Sequence, residues 1–295
     1  MLRQLDNGIL YMLLSALISA LNGALTKILS QDMSALEVVF FRNLIGVGLI
    51  LYALKHTPPT LFGGKISMLF MRGLFGFMAM ILFFYTISVI PLGEAITLNK
   101  TSPFFVTILA FLLLGEKLSL RVAFALLIGF SGTVLITKPF GLEFSFVHVL
   151  GVLGGFFAAA AYTTIKKIKD VFDSRVIVLS FVTVGSVLPA LLFLVAPYVS
   201  VPESMSFLFP EFVLPSTLWL WFLIAVMALI STLSQWLLTK AYSAKNLSVV
   251  GVISYTNIPF AIGFGWLLGD RFPDMLTFMG IVFIVVGGVL VSWKK

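Results

Sequence analysis

The sequence predicts an all-α membrane protein: ten transmembrane helices, built as two inverted five-helix repeats around a central cavity. Three observations predict it. Hydrophobic residues make up 60% of the 295 and charged residues 11%, with a mean hydropathy of +1.12. Soluble domains carry about 25% charged residues, so lipid must be the solvent over most of this chain. The apolar residues fall in runs of about 20, enough to cross a ~30 Å hydrocarbon layer as a helix. Finally, two interrupted apolar stretches occupy corresponding places in two halves. They are Pro91–Arg121 (PLGEAITLNKTSPFFVTILAFLLLGEKLSLR) and a degraded copy, Asn246–Arg271 (NLSVVGVISYTNIPFAIGFGWLLGDR).

The spans, in order, are Gly8–Leu29, Ala35–Leu54, Ile66–Ile90, Glu94–Leu114, Ala123–Thr137, Val147–Ile165, Val176–Ala196, Leu218–Leu238, Ser248–Leu268 and Met275–Val291. In lipid only helices and closed barrels satisfy their backbone polar groups. A barrel would show alternating segments of about ten residues; these runs are twice that length and apolar on both faces. The first twenty residues have the outline of a signal peptide. The apolar run continues to Leu29, however, and more runs follow, so it reads as an uncleaved first span. Polar or proline-rich connections separate the spans: Ser30–Asp32, Lys55–Gly64 with Pro58 and Pro59, Lys166–Arg175 and Pro197–Pro215.

Lysine and arginine gather in cytoplasmic loops. Arg3, Lys55, Lys65, Lys117, Arg121, Lys166, Lys167, Lys169, Arg175, Lys240, Lys245, Lys294 and Lys295 fall on the side of the N-terminus. Only Lys27, Lys138 and Arg271 fall on the other. Both termini are therefore expected in the cytoplasm, with the net charge of +7 a matter of topology and not of nucleic acid. Cysteine is absent, and the two histidines, His56 and His148, are too far apart to suggest a metal cluster. No cofactor is expected.

The halves, residues 1–140 and 141–295, end alike. GFSGTVLITK (Gly129–Lys138) resembles VVGGVLVSWK (Val285–Lys294), and LGEK at Leu114–Lys117 matches LGDR at Leu268–Arg271. Five spans per half is an odd number, so the second half must sit inverted, a construction common among transporters. Small residues mark close helix contacts: Ser15, Ser19 and Gly23 beside Ala16, Ala20 and Ala24, and Gly151 and Gly155 ahead of Ala158–Ala161.

The stretch Arg72–Pro139 resembles the first half of the drug/metabolite transporter superfamily, EamA type. The resemblance lies in its Arg-Gly start, the Pro-Leu-Gly-Glu-Ala turn, Ser-Pro-Phe-Phe and the Leu-Gly-Glu stop. The second half fits more loosely. The resemblance implies a cavity lined mainly by helices one, three, four, six, eight and nine, and alternating access without ATP hydrolysis. Members of the family move amino acids, nucleotide-like metabolites, quaternary amines and drugs.

Pro103 removes the helical hydrogen bond to the Asn99 carbonyl, and Pro259 the one to Tyr255. Each freed carbonyl needs a partner: another helix, water or substrate. A packing kink is the alternative. Lys100 lies about 10 Å deep by helix rise, where a charge costs about 2.5–3.5 kcal/mol. Either it binds an anionic group of the substrate, or it pairs with Glu94 or Glu37 or snorkels outward. Arg42, in the second span, and Arg72, in the inner third of the third, carry the same two readings, with snorkelling open to Arg72. Glu94 and Glu37 are candidate charge partners, and one of them could carry a coupling proton. Asn22, Tyr85, Asn99, Tyr162, Gln235, Tyr255 and Asn257 are candidate substrate contacts. Trp236 and Trp266 are candidate cavity aromatics; Trp219, Trp221 and Trp293 read as interfacial anchors.

The sequence favours a secondary transporter of a small organic metabolite, an amino acid or related zwitterion or anion, moved by export or exchange across the bacterial cytoplasmic membrane. The alternative is a multidrug or quaternary-amine exporter. An intramembrane enzyme would need a metal cluster or paired carboxylates within a span, and an ATP-driven pump a phosphate loop. Neither is present in the sequence. A non-transporting membrane subunit would not need Lys100 and two interrupted helices in matching places.

Overall fold

The computed structural model describes residues 2–64, 66–114, 120–137, 145–243 and 253–292. The sequence assignments at Lys65, at 115–117, at Lys138, at Lys245 and at 293–295 lie outside them. Eleven α-helices are present among the described residues: α1 (Leu2–Leu29), α2 (Ala35–His56), α3 (Ile66–Val89), α4 (Leu92–Asn99), α5 (Ser102–Leu114), α6 (Leu120–Thr137), α7 (Phe146–Ile168), α8 (Ser174–Val195), α9 (Leu218–Ser243), α10 (Asn257–Leu267) and α11 (Met275–Ser292). No sheet forms among them. Six helices, α1–α3 and α7–α9, are long and apolar enough to cross a membrane.

The fourth predicted span is two helices instead of one. Pro103, in the first turn of α5, cannot donate to the Asn99 carbonyl, and the chain turns sharply ahead of it. Thr101 N–H and Thr101 Oγ1 both donate to the Leu98 carbonyl, at 3.1 and 2.7 Å, and Phe104 N–H donates to the Thr101 carbonyl at 3.0 Å. In the ninth span a short 3-10 helix, Ser254–Thr256, precedes α10, whose first turn holds Pro259.

The helices pack in pairs whose direction follows from the residues that meet. Ser15 of α1 bonds Ser234 of α9, and Lys240 of α9 reaches the Tyr11 ring, so α1 and α9 are antiparallel. So are α2 and α8, where Asn43 Nδ2 donates to the Gly185 carbonyl at 3.2 Å and Phe40 meets Phe193. In α6 and α11, Gly132 lies against Gly280, and Gly129 against Gly287. The other main pairings are α3 with α7, α3 with α8, α2 with α9, α4 with α10, α1 with α10, and α4 and α5 with α7. Exchanging the first five spans for the last five leaves this set of pairings unchanged.

Loops clasp each end. Ser34 and Glu37 form a reciprocal cap at the start of α2, and Glu37 Oε1 also accepts the Val213 N–H at 2.6 Å. Phe212 packs on Phe40, Phe41 and Phe193. At the opposite end, Gly63 N–H donates to the Val171 carbonyl and Asp173 N–H to the Leu61 carbonyl, both at 2.9 Å. Arg175 Nη1 donates to the Thr57 carbonyl at 2.7 Å. Asp173 caps α8, and its carboxyl is held below the usual carboxylate range by the Arg175 guanidinium bonded to it.

Candidate functional site

The break between α4 and α5 sits against the middle of α7, where two glycines make room for it. A Cβ on Gly155 would lie 2.5 Å from Thr101 Oγ1 and 3.2 Å from the Asn99 carbonyl oxygen, and one on Gly154 would lie 3.7 Å from Asn99 Nδ2. The Asn99 carbonyl receives no hydrogen bond among the described residues, as its proline predicts. Lys100 is half-buried at the C-cap of α4, well inside the bundle. Pro259 stands in the first turn of α10, directly after the 3-10 turn Ser254–Thr256.

The expected charge partners do not pair with the cations. Glu37 is taken up by Ser34 and Val213. Glu94, in the first turn of α4, faces His148 Nε2 of α7 at 3.9 Å. Among the described residues neither carboxylate, nor any other, forms an ion pair with Lys100, Arg42 or Arg72. The physical reason is position. Both glutamates stand at helix starts, where free N–H groups and the helix dipole hold a carboxylate, one or two turns from the cations.

Arg42 and Arg72 meet through a ring. Arg42 is 3% exposed and Arg72 2%. Arg42 Nε donates to Ser231 Oγ at 2.6 Å and Nη1 to Asn43 Oδ1 at 3.2 Å, with Met80 Sδ in contact. Its guanidinium carbon lies 5.6 Å from the centre of the Phe181 ring and 5.8 Å from that of Phe84. Arg72 approaches the same Phe181 ring at 4.7 Å, and Tyr162 of α7 is its electrostatic neighbour. Gly76 leaves the space: a Cβ there would lie 2.5 Å from Phe181 Cδ2 and overlap Arg72 Nη1. Arg72 does not snorkel. Its Nε is buried without a partner among the described residues.

Three more buried polar atoms share that condition: Asn22 Oδ1, Asn257 Oδ1 and Tyr255 OH. Asn22 and Asn257 stand on elements that pack together, α1 and α10. Tyr255 instead points its hydroxyl into the notch at Gly288 of α11. Tyr85 stacks on Phe207 of the long Pro197–Pro215 connection, ring centres 4.1 Å apart. Gln235 is half-buried on α9 beside Trp236, whose ring carries Lys240 at 4.1 Å. Trp266 is 61% exposed. Trp219 is exposed, as an interfacial anchor should be.

Sequence reasoning did not find Phe181, Ser231, Met80 and Asn43 around Arg42. One signal was present: Phe181 is the approximate repeat counterpart of Arg42. Where α2 crosses α8, these two residues face each other.

A bundle of membrane-length helices, with a half-broken helix inside it and cations that no carboxylate among the described residues neutralises, is the construction of a membrane transporter. The profile of the EamA-like transporter family matches residues 6–138. The chain is 34% identical to the pseudopaline exporter of Pseudomonas aeruginosa (strain UCBPP-PA14) over 99% of this chain and 98% of that one. It is 24% identical to an S-adenosylmethionine uptake transporter of Rickettsia bellii, over 98% and 94%. A crystal structure with 16% identity matches at a TM-score of 0.66 over 97% of this chain and 96% of that one; it shares the fold. The protein belongs to the EamA-like transporter family, within the drug/metabolite transporter superfamily, and is not an enzyme.

Proposed function

We propose that this protein exports a small, carboxylate-bearing metabolite across the cytoplasmic membrane. Residues 1–140 and 141–295 would be the two bodies that rock about a central site by alternating access. The observation that carries the proposal is the set of three cations, Arg42, Arg72 and Lys100, set within the bundle with no carboxylate bonded to them among the described residues. A buried charge without a partner is costly, and an anionic substrate supplies the missing counter-charge. The free Asn99 carbonyl, with the Asn22 and Asn257 side-chain oxygens, offers acceptors for an ammonium or hydroxyl of the same molecule.

Charge also favours this over the quaternary-amine or multidrug alternative. A permanent cation entering beside three others would be repelled, and among the described residues no carboxylate is paired with Arg42 or Arg72 to hold it. Outward movement is favoured on two grounds. The 34% identical relative is an exporter. An inside-negative potential also drives anions outward by about 2.3 kcal/mol per charge per 100 mV.

The test is counterflow in proteoliposomes without ATP, with labelled pseudopaline as the first substrate and simple di- and tricarboxylates as competitors. Exchange blocked by the carboxylates is the expected result. Transport of a quaternary amine that no carboxylate inhibits would overturn the assignment.

A further inference from the structure

The Leu-Gly-Asp stop after α10 does more than end a helix. Gly269 closes it in the left-handed region, at φ +90°, and Asp270 N–H returns to the Gly265 carbonyl at 2.9 Å. This Schellman-type ending turns the Asp270 side chain toward the other half of the chain. Oδ2 accepts the Leu92 N–H at 2.8 Å, at the start of α4, where the helix dipole also favours a carboxylate. Oδ1 accepts from Lys27 Nζ, which donates as well to the Ile90 carbonyl at 3.2 Å. Gly265 leaves the room: a Cβ there would lie 2.7 Å from Asp270 Oδ2. One carboxylate thereby ties the end of α1, the turn between α3 and α4, and the end of α10.

The side chains of Lys27 and Asp270 are mostly covered, at 21% and 13% exposed. They lie at the end that the distribution of lysine and arginine assigns to the outside. Other contacts between the halves accompany them there: Glu94 with His148, Glu37 with the Val213 N–H, and Tyr85 stacked on Phe207. These contacts tie the two halves together at the outer end in this structure. Alternating access requires that such a closure open and re-form once per cycle.

We propose that Lys27 and Asp270 are the outer latch of the transport cycle, parting when the path opens to the outside. Helix α4 runs from the latch to Lys100. Its eight residues make a short lever of about 12 Å between the closure and the cation at the break. The latch follows from the transporter fold and requires no particular substrate charge.

The chain has no cysteine, so one introduced thiol reports alone. Ala24→Cys places it on α1 just inside the latch, at a site 6% exposed and packed in the cluster with Leu92, Ala95 and Ile96. The measurement is its rate of reaction with a membrane-impermeant maleimide, applied outside on intact cells and inside on inverted vesicles. Adding Asp270→Asn or Lys27→Met should speed labelling from the outside by about tenfold or more, the ratio for a shift of 1.4 kcal/mol, and leave labelling from the inside unchanged or slower. Lys27→Met keeps the Asp270 cap on Leu92, so it reports even where Asp270→Asn fails to fold. Outside labelling unchanged in the Lys27→Met protein, or accelerated equally from both sides, would overturn the latch.

Discussion

Replacing Arg42 with Met separates the cost of its guanidinium from its use. An arginine in the middle of a membrane helix costs about 2.5–3.5 kcal/mol on insertion scales. Against that stands the charged hydrogen bond to Ser231 at 2.6 Å, at about 1.5–3 kcal/mol. The rings of Phe84 and Phe181, at 5.8 and 5.6 Å, add about 0.5–1 kcal/mol each. The terms nearly cancel, and Met fills much of the same space among Phe84, Phe181 and Met80. Thermal unfolding in detergent should therefore shift by only about 1 kcal/mol in either direction. Substrate is a different matter. A ligand anion that loses a desolvated cationic partner loses about 2–5 kcal/mol, which is at least about 30-fold in affinity. The assay pairs melting curves with the concentration dependence of carboxylate counterflow. A variant that melts several kcal/mol earlier yet transports normally would show that Arg42 is a structural brace.

Lys100→Ala should abolish carboxylate transport while expression, membrane insertion and melting stay near normal; full transport by that variant would remove Lys100 from the site. Gly76→Ala should cost about 1–3 kcal/mol of stability by overpacking and impair transport by displacing Arg72 and Phe181, as melting and counterflow would show. Gly48→Ala, with nothing within 4 Å of its Cβ, should instead stabilise by about 0.5–1 kcal/mol. Asp173 has a lowered pKa in the folded protein. Its contribution is present above the ordinary carboxylate pKa and is lost as pH falls through the folded value. Asp173→Ala should then cost about 1 kcal/mol at neutral pH, and the gap in melting temperature from the parent should narrow as pH falls below the ordinary carboxylate range.

The spans were legible because lipid imposes one rule on every residue of a crossing: stay apolar for about twenty positions. The break at Pro103 was legible too, since a missing N–H is a property of one residue. Partners were not. Ser34-Ala-Leu-Glu37 is a capping-box sequence, yet Glu37 read as a charge partner, because its bond to Val213 depends on a loop 176 residues away. Asp270 gave no sign of its partners, because nothing in its neighbourhood reveals that Leu92 lies opposite. Trp266 sits in a helix that is apolar on all sides, so periodicity gave no face to assign it to. Arg42 and Arg72 were visible as buried charges, and their shared ring, Phe181, needed the register of α2, α3 and α8.

The seam between α6 and α11 has a mechanical consequence. A Cβ at Gly132 would meet the Gly280 carbonyl oxygen at 2.6 Å, and one at Gly287 would meet the Ala125 carbonyl oxygen at 2.8 Å. Main chain rests on main chain at these glycines, leaving little there to compress or re-pack. Each helix is the last of one of the two proposed halves. If the halves tilt against each other, this joint is the axle: displacement is smallest beside it and grows with distance across the bundle.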